Sequence, residues 1–308
     1  MNHSSNETLQ IKEISPAESM EGAHFFNSTS FLSNKRFNVK GWQLVGGEPL
    51  AQIYFHFDDK VAISGAQATF GSLDIAEKIT KSELAWFIKS LVYALKETGV
   101  RKVKIRHFPS HFYKAIFIQE SLEQFGFKKV LTETNQHVNV DKLNFEDVAD
   151  RSEVIRSNKC ERLGYTFKLA SINDLPVIYE LIENTLSRRG NRPSMSFDDL
   201  QKTIKACPEN YLLFALWDKN ILIAATVSVK INTSVLYNFY HSDHLEYRTV
   251  SGLTYLLKNI YLYCYANNFK TLDLGVSSIN GIINTGLFNF KKARGAVISD
   301  KNYYNLSL

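Results

Sequence analysis

Thr271-Leu-Asp-Leu-Gly275-Val-Ser-Ser-Ile-Asn280-Gly-Ile-Ile-Asn-Thr285-Gly-Leu-Phe-Asn-Phe290-Lys-Lys-Ala-Arg-Gly295 decides how this chain is read. A strand over 271–274 sets Asp273 between Leu272 and Leu274, and a small-residue loop and a short helix with a basic tip follow. Ahead of it lie an aromatic strand, Leu236 to Tyr240, and a polar turn. The spacing of Leu256, Leu257, Ile260, Tyr261 and Cys264 then predicts a helix over 249–267. Polar groups thus collect where a strand pair can hold a ligand.

Working outward, the second half opens with a strand over 165–169. A helix within 172–188 is capped by Asn173 or Asp174, with Pro176 in its first turn. A second helix, 196–206, is capped by Ser196. A hairpin joins 212–217 to 222–230 across Asp218-Lys219-Asn220. The first half repeats the order. It has a strand over 41–45, the turn Gly46-Gly47-Glu48-Pro49, and a hairpin of 52–57 with 61–64 around Asp58-Asp59. The helix carrying Leu84, Phe87, Ile88, Leu91 and Leu95 is capped by Ser82 and stopped by Gly99. A strand over 100–107 follows, then a helix over 115–125 closed by Gly126, and a strand over 136–140. Hairpins feeding helix crossovers describe a mixed α/β sheet. The repeated order predicts an internal duplication, with domains 1–150 and 151–308 meeting at the charged connector 147–162.

The 308 residues are 44% hydrophobic and 22% charged, enough for two cores of ordinary soluble type. The formal charge of +5 suits an anionic ligand without demanding nucleic acid. A polar start and the lack of any long apolar run lead us to expect no signal peptide and no membrane span. Cys160, Cys207 and Cys264 are too scattered for a disulfide framework, so a reducing, cytoplasmic setting is the expectation. No phosphate-binding Walker loop, nucleophile elbow or zinc-peptidase motif occurs, which argues against those classes.

The element order resembles the acyl-CoA N-acyltransferase (GNAT) fold in tandem, as in FemAB-type transferases. Tyr237-Asn-Phe-Tyr240 resembles that fold's central strand, and Leu253 to Ala266 its long helix. Gly286-Leu-Phe-Asn-Phe-Lys291 with Arg294-Gly295 resembles its tail. Phe70-Gly71-Ser72, Val103 to His107 and Gln124 to Phe127 resemble pieces of the companion domain. The resemblance implies transfer of an acyl or aminoacyl group to a primary amine of a small molecule or cell-wall precursor. Acyl-CoA or acetyl-CoA is the donor placed first. The alternatives are an aminoacyl-tRNA-dependent enzyme, or a binding protein that has lost its chemistry. The sequence departs from the CoA pattern at His241 to Gly252, where one late glycine replaces a glycine-rich loop.

Candidate site residues follow. Asp273 and Tyr240 are the catalytic candidates, the carboxylate to assist the amine and the phenol to protonate a leaving group. Arg248, Thr249, Ser251 and Gly252 open the long helix and are expected to hold a donor phosphate. Lys291 is expected to emerge at the edge of its helix and bind an acidic group, beside the loop arginines Arg188, Arg189 and Arg192. Asn280 and Asn284 are read as orienting polar substrate atoms or capping the short helix. His241, Asp243 and His244 offer no fourth ligand, so no metal is expected. The loop Phe70 to Ile75 offers no evident acid–base pair, so the first domain is expected to be non-catalytic.

Overall fold

The computed structural model describes residues 8–34 and 38–308, so most of the polar start lies outside the described residues. In chain order the elements of the first half are β1 (Gln10–Ile14), α1 (Thr29–Leu32), β2 (Val39–Gly46), β3 (Glu48–Asp58), β4 (Val61–Ser64), β5 (Asp74–Ile75), α2 (Lys81–Glu97), β6 (Lys102–Arg106), α3 (Ala115–Gln124) and β7 (Lys128–Asn139). There follow α4 (Arg151–Arg162), β8 (Thr166–Ala170), α5 (Leu175–Ser187), α6 (Phe197–Ala206), β9 (Tyr211–Asp218), β10 (Ile221–Lys230), β11 (Val235–Asp243) and α7 (Gly252–Ala266). The chain ends with β12 (Thr271–Val276), β13 (Ser278–Ile279), β14 (Ile282–Ile283), α8 (Thr285–Lys292) and β15 (Val297–Ser307).

Two compact units form, 8–133 with 299–308 and 134–298 among the described residues. In the first, β1 to β4 are an antiparallel run, and α2 carries the chain from β4 to the parallel strand β6. In the second, β8 to β11 are antiparallel, and α7 carries the chain from β11 to the parallel strand β12. The duplicated order is therefore real.

The division differs from the expected break near 150, for a topological reason. From sequence, the first half closes with a strand over 136–140, and no strand is assigned after Gly295. Instead, Tyr303 to Ser307 of β15 pair antiparallel with β6 of the first unit, while β7 from Asn135 onward pairs antiparallel with β12 of the second. The closing strands are exchanged between the halves, and no local sequence signal records such a partner choice.

Helix α2 shows how local chemistry sets an element's start. Thr80, not Ser82, is its cap: Thr80 Oγ1 accepts from Glu83 N–H at 3.2 Å, and Glu83 Oε2 accepts from Thr80 N–H at 2.7 Å. This reciprocal pair holds the Glu83 carboxyl below its usual range, chiefly through the Thr80 backbone N–H. Replacing Thr80 by Ala is expected to cost about 1 kcal/mol, read as a lower thermal midpoint. An unchanged midpoint would show the box to be idle.

The loop Phe70-Gly71-Ser72 is held by a buried histidine. Ser72 has a left-handed backbone, φ +82°, and its N–H donates to Ser64 Oγ at 2.9 Å. A Cβ on Gly71 would stand 2.3 Å from Gly65 N, which fixes glycine there. Burial pushes His107 down to about 3, so the ring is neutral. Its Nε2–H then donates to Ala115 O (3.2 Å), and Nδ1 accepts from Ser72 Oγ–H (2.7 Å). Sequence reading missed this pair. Both residues are wholly buried, so the pair fixes the loop rather than meeting a substrate.

The core of the second unit is formed by Phe214, Leu236, Leu256, Ile260, Tyr261 and Leu272, among others. All three cysteines are buried thiols, and burial raises Cys264 above its ordinary value.

Candidate functional site

The candidate site lies where β11 and β12 part. Their parallel register runs Val235↔Thr271, Leu236↔Leu272 and Tyr237↔Asp273, after which no pairing continues between them. On the other side of β12, the register with β7 is broken between Asp273 and Val276. Gly275 takes φ +76° there, with its would-be Cβ 3.3 Å from the Tyr237 ring, so close backbone approach and a left-handed turn both call for glycine.

Asp273 stands at this break, 1% exposed. Its Oδ1 accepts from Asn135 Nδ2 at 2.9 Å and from Gly275 N–H at 2.8 Å. Burial pushes its carboxyl up; those two donors and the positive fields of His137 and Lys291 pull the other way. Lys291 does not emerge as expected. It is 2% exposed, and its Nζ donates to Gly275 O and Val276 O, each at 2.8 Å. The last turn of α8 points back at the break in β12, where two carbonyls turned out of the sheet ladder capture the ammonium. Burial pulls Lys291 down to about 7, with Asp273 opposing the shift.

His241 lies in β11, half-buried. Its ring stacks on Phe290 at 6.3 Å and 10°. Burial first, then the charges of Lys291, Arg189 and Arg294, lower it to about 3, so it is a neutral imidazole among cations. Phe290 carries the Arg294 guanidinium 3.6 Å above its ring centroid. Arg294 reaches Glu153 Oε2 at 2.6 Å and Thr254 Oγ1 at 2.6 Å, tying α8 to α4 and α7.

At the mouth of α7 the expected phosphate cradle is differently built. The helix begins at Gly252, and Arg248 and Thr249 belong to a 3-10 turn, Leu245–Val250. Ser251 takes a left-handed backbone, φ +58°. Asp243 sits between two guanidinium groups: Arg188 meets its Oδ1 at 3.0 Å and Arg248 its Oδ2 at 3.1 Å. Arg188 also donates to Asp243 O at 2.7 Å. Two of the expected anion binders are thus engaged by a carboxylate of the chain itself, whereas Arg189 and Arg192 are exposed in the α5–α6 loop.

The other candidates have structural work. Tyr240 OH lies 2.6 Å from Ser194 Oγ and accepts from Met195 N–H at 3.1 Å, so it fastens the α5–α6 loop to β11. Asn280 and Gly281, at φ 51° and 78°, turn the β13–β14 hairpin; the stretch read as a small-residue loop contains an Asn-Gly turn between isoleucines, a hairpin signal present in the sequence. Asn284 caps α8, its Oδ1 accepting from Leu287 N–H at 3.0 Å. Sequence reading missed Asn135, Gln136 and Glu153, and weighed Asp243 only as a metal ligand. The polar run Glu133-Thr-Asn-Gln-His137 inside a strand was the available signal, since Asn135 and Gln136 are 1% and 0% exposed. Gln136 Oε1 accepts from Ser277 Oγ at 2.6 Å, so β7 supports the site turn from beneath.

Comparison with solved structures gives the fold. No protein-family model matches the sequence, and no curated protein matches it. FemX superposes with a TM-score of 0.76 at 14% identity, over 97% of both chains. L-PGS from Bacillus licheniformis gives 0.58 at 14% identity, over 83% of this chain and 80% of that one. A tandem GNAT protein from the clavulanic acid biosynthesis pathway gives 0.52 at 10% identity, over 97% and 98%. The chain has the mixed α/β fold of two tandem acyl-CoA N-acyltransferase-like domains. Its fold is similar to that of FemX over nearly the whole of both chains.

Proposed function

We propose that the second unit transfers an aminoacyl group from the ester of a charged tRNA to a primary amine. The observation that carries this reading is Asp243 clamped between Arg188 and Arg248 at the entrance to α7. A CoA pyrophosphate at that position would meet a carboxylate instead of a nest of backbone N–H groups, and would have to displace it from both arginines. The FemAB-type resemblance favours the same donor. Acyl-CoA keeps one support, the N-terminus of a long helix behind a left-handed Ser251.

In the proposed reaction the amine attacks the ester carbonyl carbon. A C–N bond forms, the C–O bond to the ribose breaks, and the proton shed by the amine balances the one taken by the departing oxygen. The Lys291 ammonium spends two N–H groups on Gly275 O and Val276 O. The third serves the carbonyl oxygen as it gains charge. Asp273 acts through Lys291: it holds the Gly275 turn and supplies the opposing charge. Arg189 and Arg192 face acidic groups of the acceptor or the donor's phosphates.

Calorimetric titration separates the donors. The expected result is binding of an aminoacylated minihelix that weakens as salt rises, with acetyl-CoA silent. Tight acetyl-CoA binding with no minihelix binding would overturn the assignment.

A further inference from the structure

Most of the charged connector 147–162 folds into α4, and the site described above uses only the inner side of that helix. Glu153, Ser157 and Cys160 are buried there. Glu153 accepts from Thr254 Oγ1 of α7 at 2.8 Å, and Cys160 Sγ donates to Val250 O at 2.9 Å, at the end of the turn that carries Arg248. The outer side is basic. Arg151, Ile155, Asn158 and Arg162 recur at i, i+4, i+7 and i+11, one stripe of an α-helix, with Lys159 beside it. All five are exposed. At the α-helical rise the stripe is about 16 Å long. Arg162 Nε donates to Asn158 O at 3.3 Å, which lays its guanidinium along the stripe. The carboxylates of α4 turn away from this face. Glu153 pairs with Arg294 and Arg156, and Glu161 lies 3.8 Å from Lys258 of α7, which also meets Glu146 at 2.8 Å. Asp150 borders one end, at the N-cap. Among the described residues, Arg151, Lys159 and Arg162 pair with no carboxylate.

We propose that the outer face of α4 holds the phosphate backbone of RNA. The proposal rests on the charged-tRNA donor assigned above and names the surface that receives the body of that donor. Cations strung along three turns of helix, with no carboxylate among them, match a repeating anion better than a single small one. An RNA backbone presents such a row of phosphates, and Lys and Arg contacts to it give affinity without reading sequence. The position of α4 fits the same partner. Glu153 and Arg294 tie it to α8, and Cys160 ties it to the turn before α7. RNA held on α4 is therefore held on an element that touches the candidate site itself.

The test titrates the full chain with an uncharged RNA minihelix bearing a single-stranded 3′ end, read by fluorescence anisotropy over a range of salt. The wild-type chain is expected to bind, with log K falling linearly against log salt. Arg151→Gln/Lys159→Gln/Arg162→Gln should bind at least about tenfold more weakly at low salt, with an unchanged thermal midpoint. Its salt slope should be shallower by about 1 for each phosphate contact removed, and that of Arg162→Gln alone by about 1. The single variant keeps the test decisive if the triple one unfolds. A wild-type chain that ignores the minihelix, or a folded triple variant with wild-type affinity and slope, would overturn the proposal. Equal affinity for polyglutamate or for anionic vesicles, lost in the same variant, would overturn it too, by showing that the face does not select RNA. The donor reading fails separately. A minihelix bound through α4, with a charged tRNA left intact in the presence of an amine, would remove aminoacyl transfer and leave this RNA surface standing.

Discussion

A Lys291→Met variant is expected to keep the fold and lose transfer by about 100-fold or more in kcat, the scale on which removing one donor to a developing oxyanion acts. The methylene stem stays in its slot; what disappears is the ammonium held by Gly275 O and Val276 O, the donor proposed for the reacting carbonyl. The pH profile gives a second readout. The wild-type rate climbs with pH as the acceptor amine loses its proton, then flattens above about 7, where Lys291 itself discharges. Lys291→Met shows no break at that pH. Stability carries its own sign. The folded value of about 7 lies below the ordinary 10.5, so the unfolded chain binds more protons between the two, and folding gains stability as pH rises through that window. Relative to wild type, Lys291→Met should therefore look most stable near pH 7 and lose that advantage towards pH 10. Unchanged turnover in Lys291→Met would remove the residue from the chemistry.

The second large effect concerns stability. Glu153→Gln is expected to destabilise the second unit by about 3–5 kcal/mol, because it strands a buried guanidinium. The Glu153 and Arg294 side chains are 3% and 7% exposed and meet at 2.6 Å. Glu153 also accepts from Thr254 Oγ1 at 2.8 Å and pairs with Arg156. Burial already lowers Arg294 to about 10, with Glu153 opposing that shift, so the cation depends on its partner. The double variant Glu153→Leu/Arg294→Met, which removes both charges, should recover much of the loss. Because Arg294 lies over Phe290, and Phe290 stacks on His241, the single variant should also disturb that stack. A thermal midpoint for Glu153→Gln equal to wild type would refute the argument.

What the sequence could disclose was local. Helix α6 with its Ser196 cap, α5 with Pro176 in its first turn, and the hairpins at Asp58 and Asp218 all follow from periodicity and turn chemistry within a few residues. The order of elements then disclosed the duplication. What escaped was nonlocal. The exchange of β7 and β15 depends on which edge each strand meets, and both strands look the same to a pattern search. Lys291 was placed on the right helix, but the carbonyls that draw it inward exist only because β12 breaks register after Asp273. Arg188 and Arg248 read as free cations until the fold brings Asp243 between them, across 55 residues in the case of Arg188. Asn135 and Gln136 were visible as polar residues in a strand, yet their partners come from β12 and the turn beyond it.

The central claim is that the clamped Asp243 marks a site built for an aminoacyl ester rather than for CoA. Its most direct measurement is turnover by the full chain given a charged tRNA, acetyl-CoA and a small primary amine together, with the products resolved by mass. The account predicts an aminoacyl amide, formation of which falls with Lys291→Met and is not reduced by excess CoA. An acetyl amide as the principal product, with the charged tRNA left intact, would contradict it.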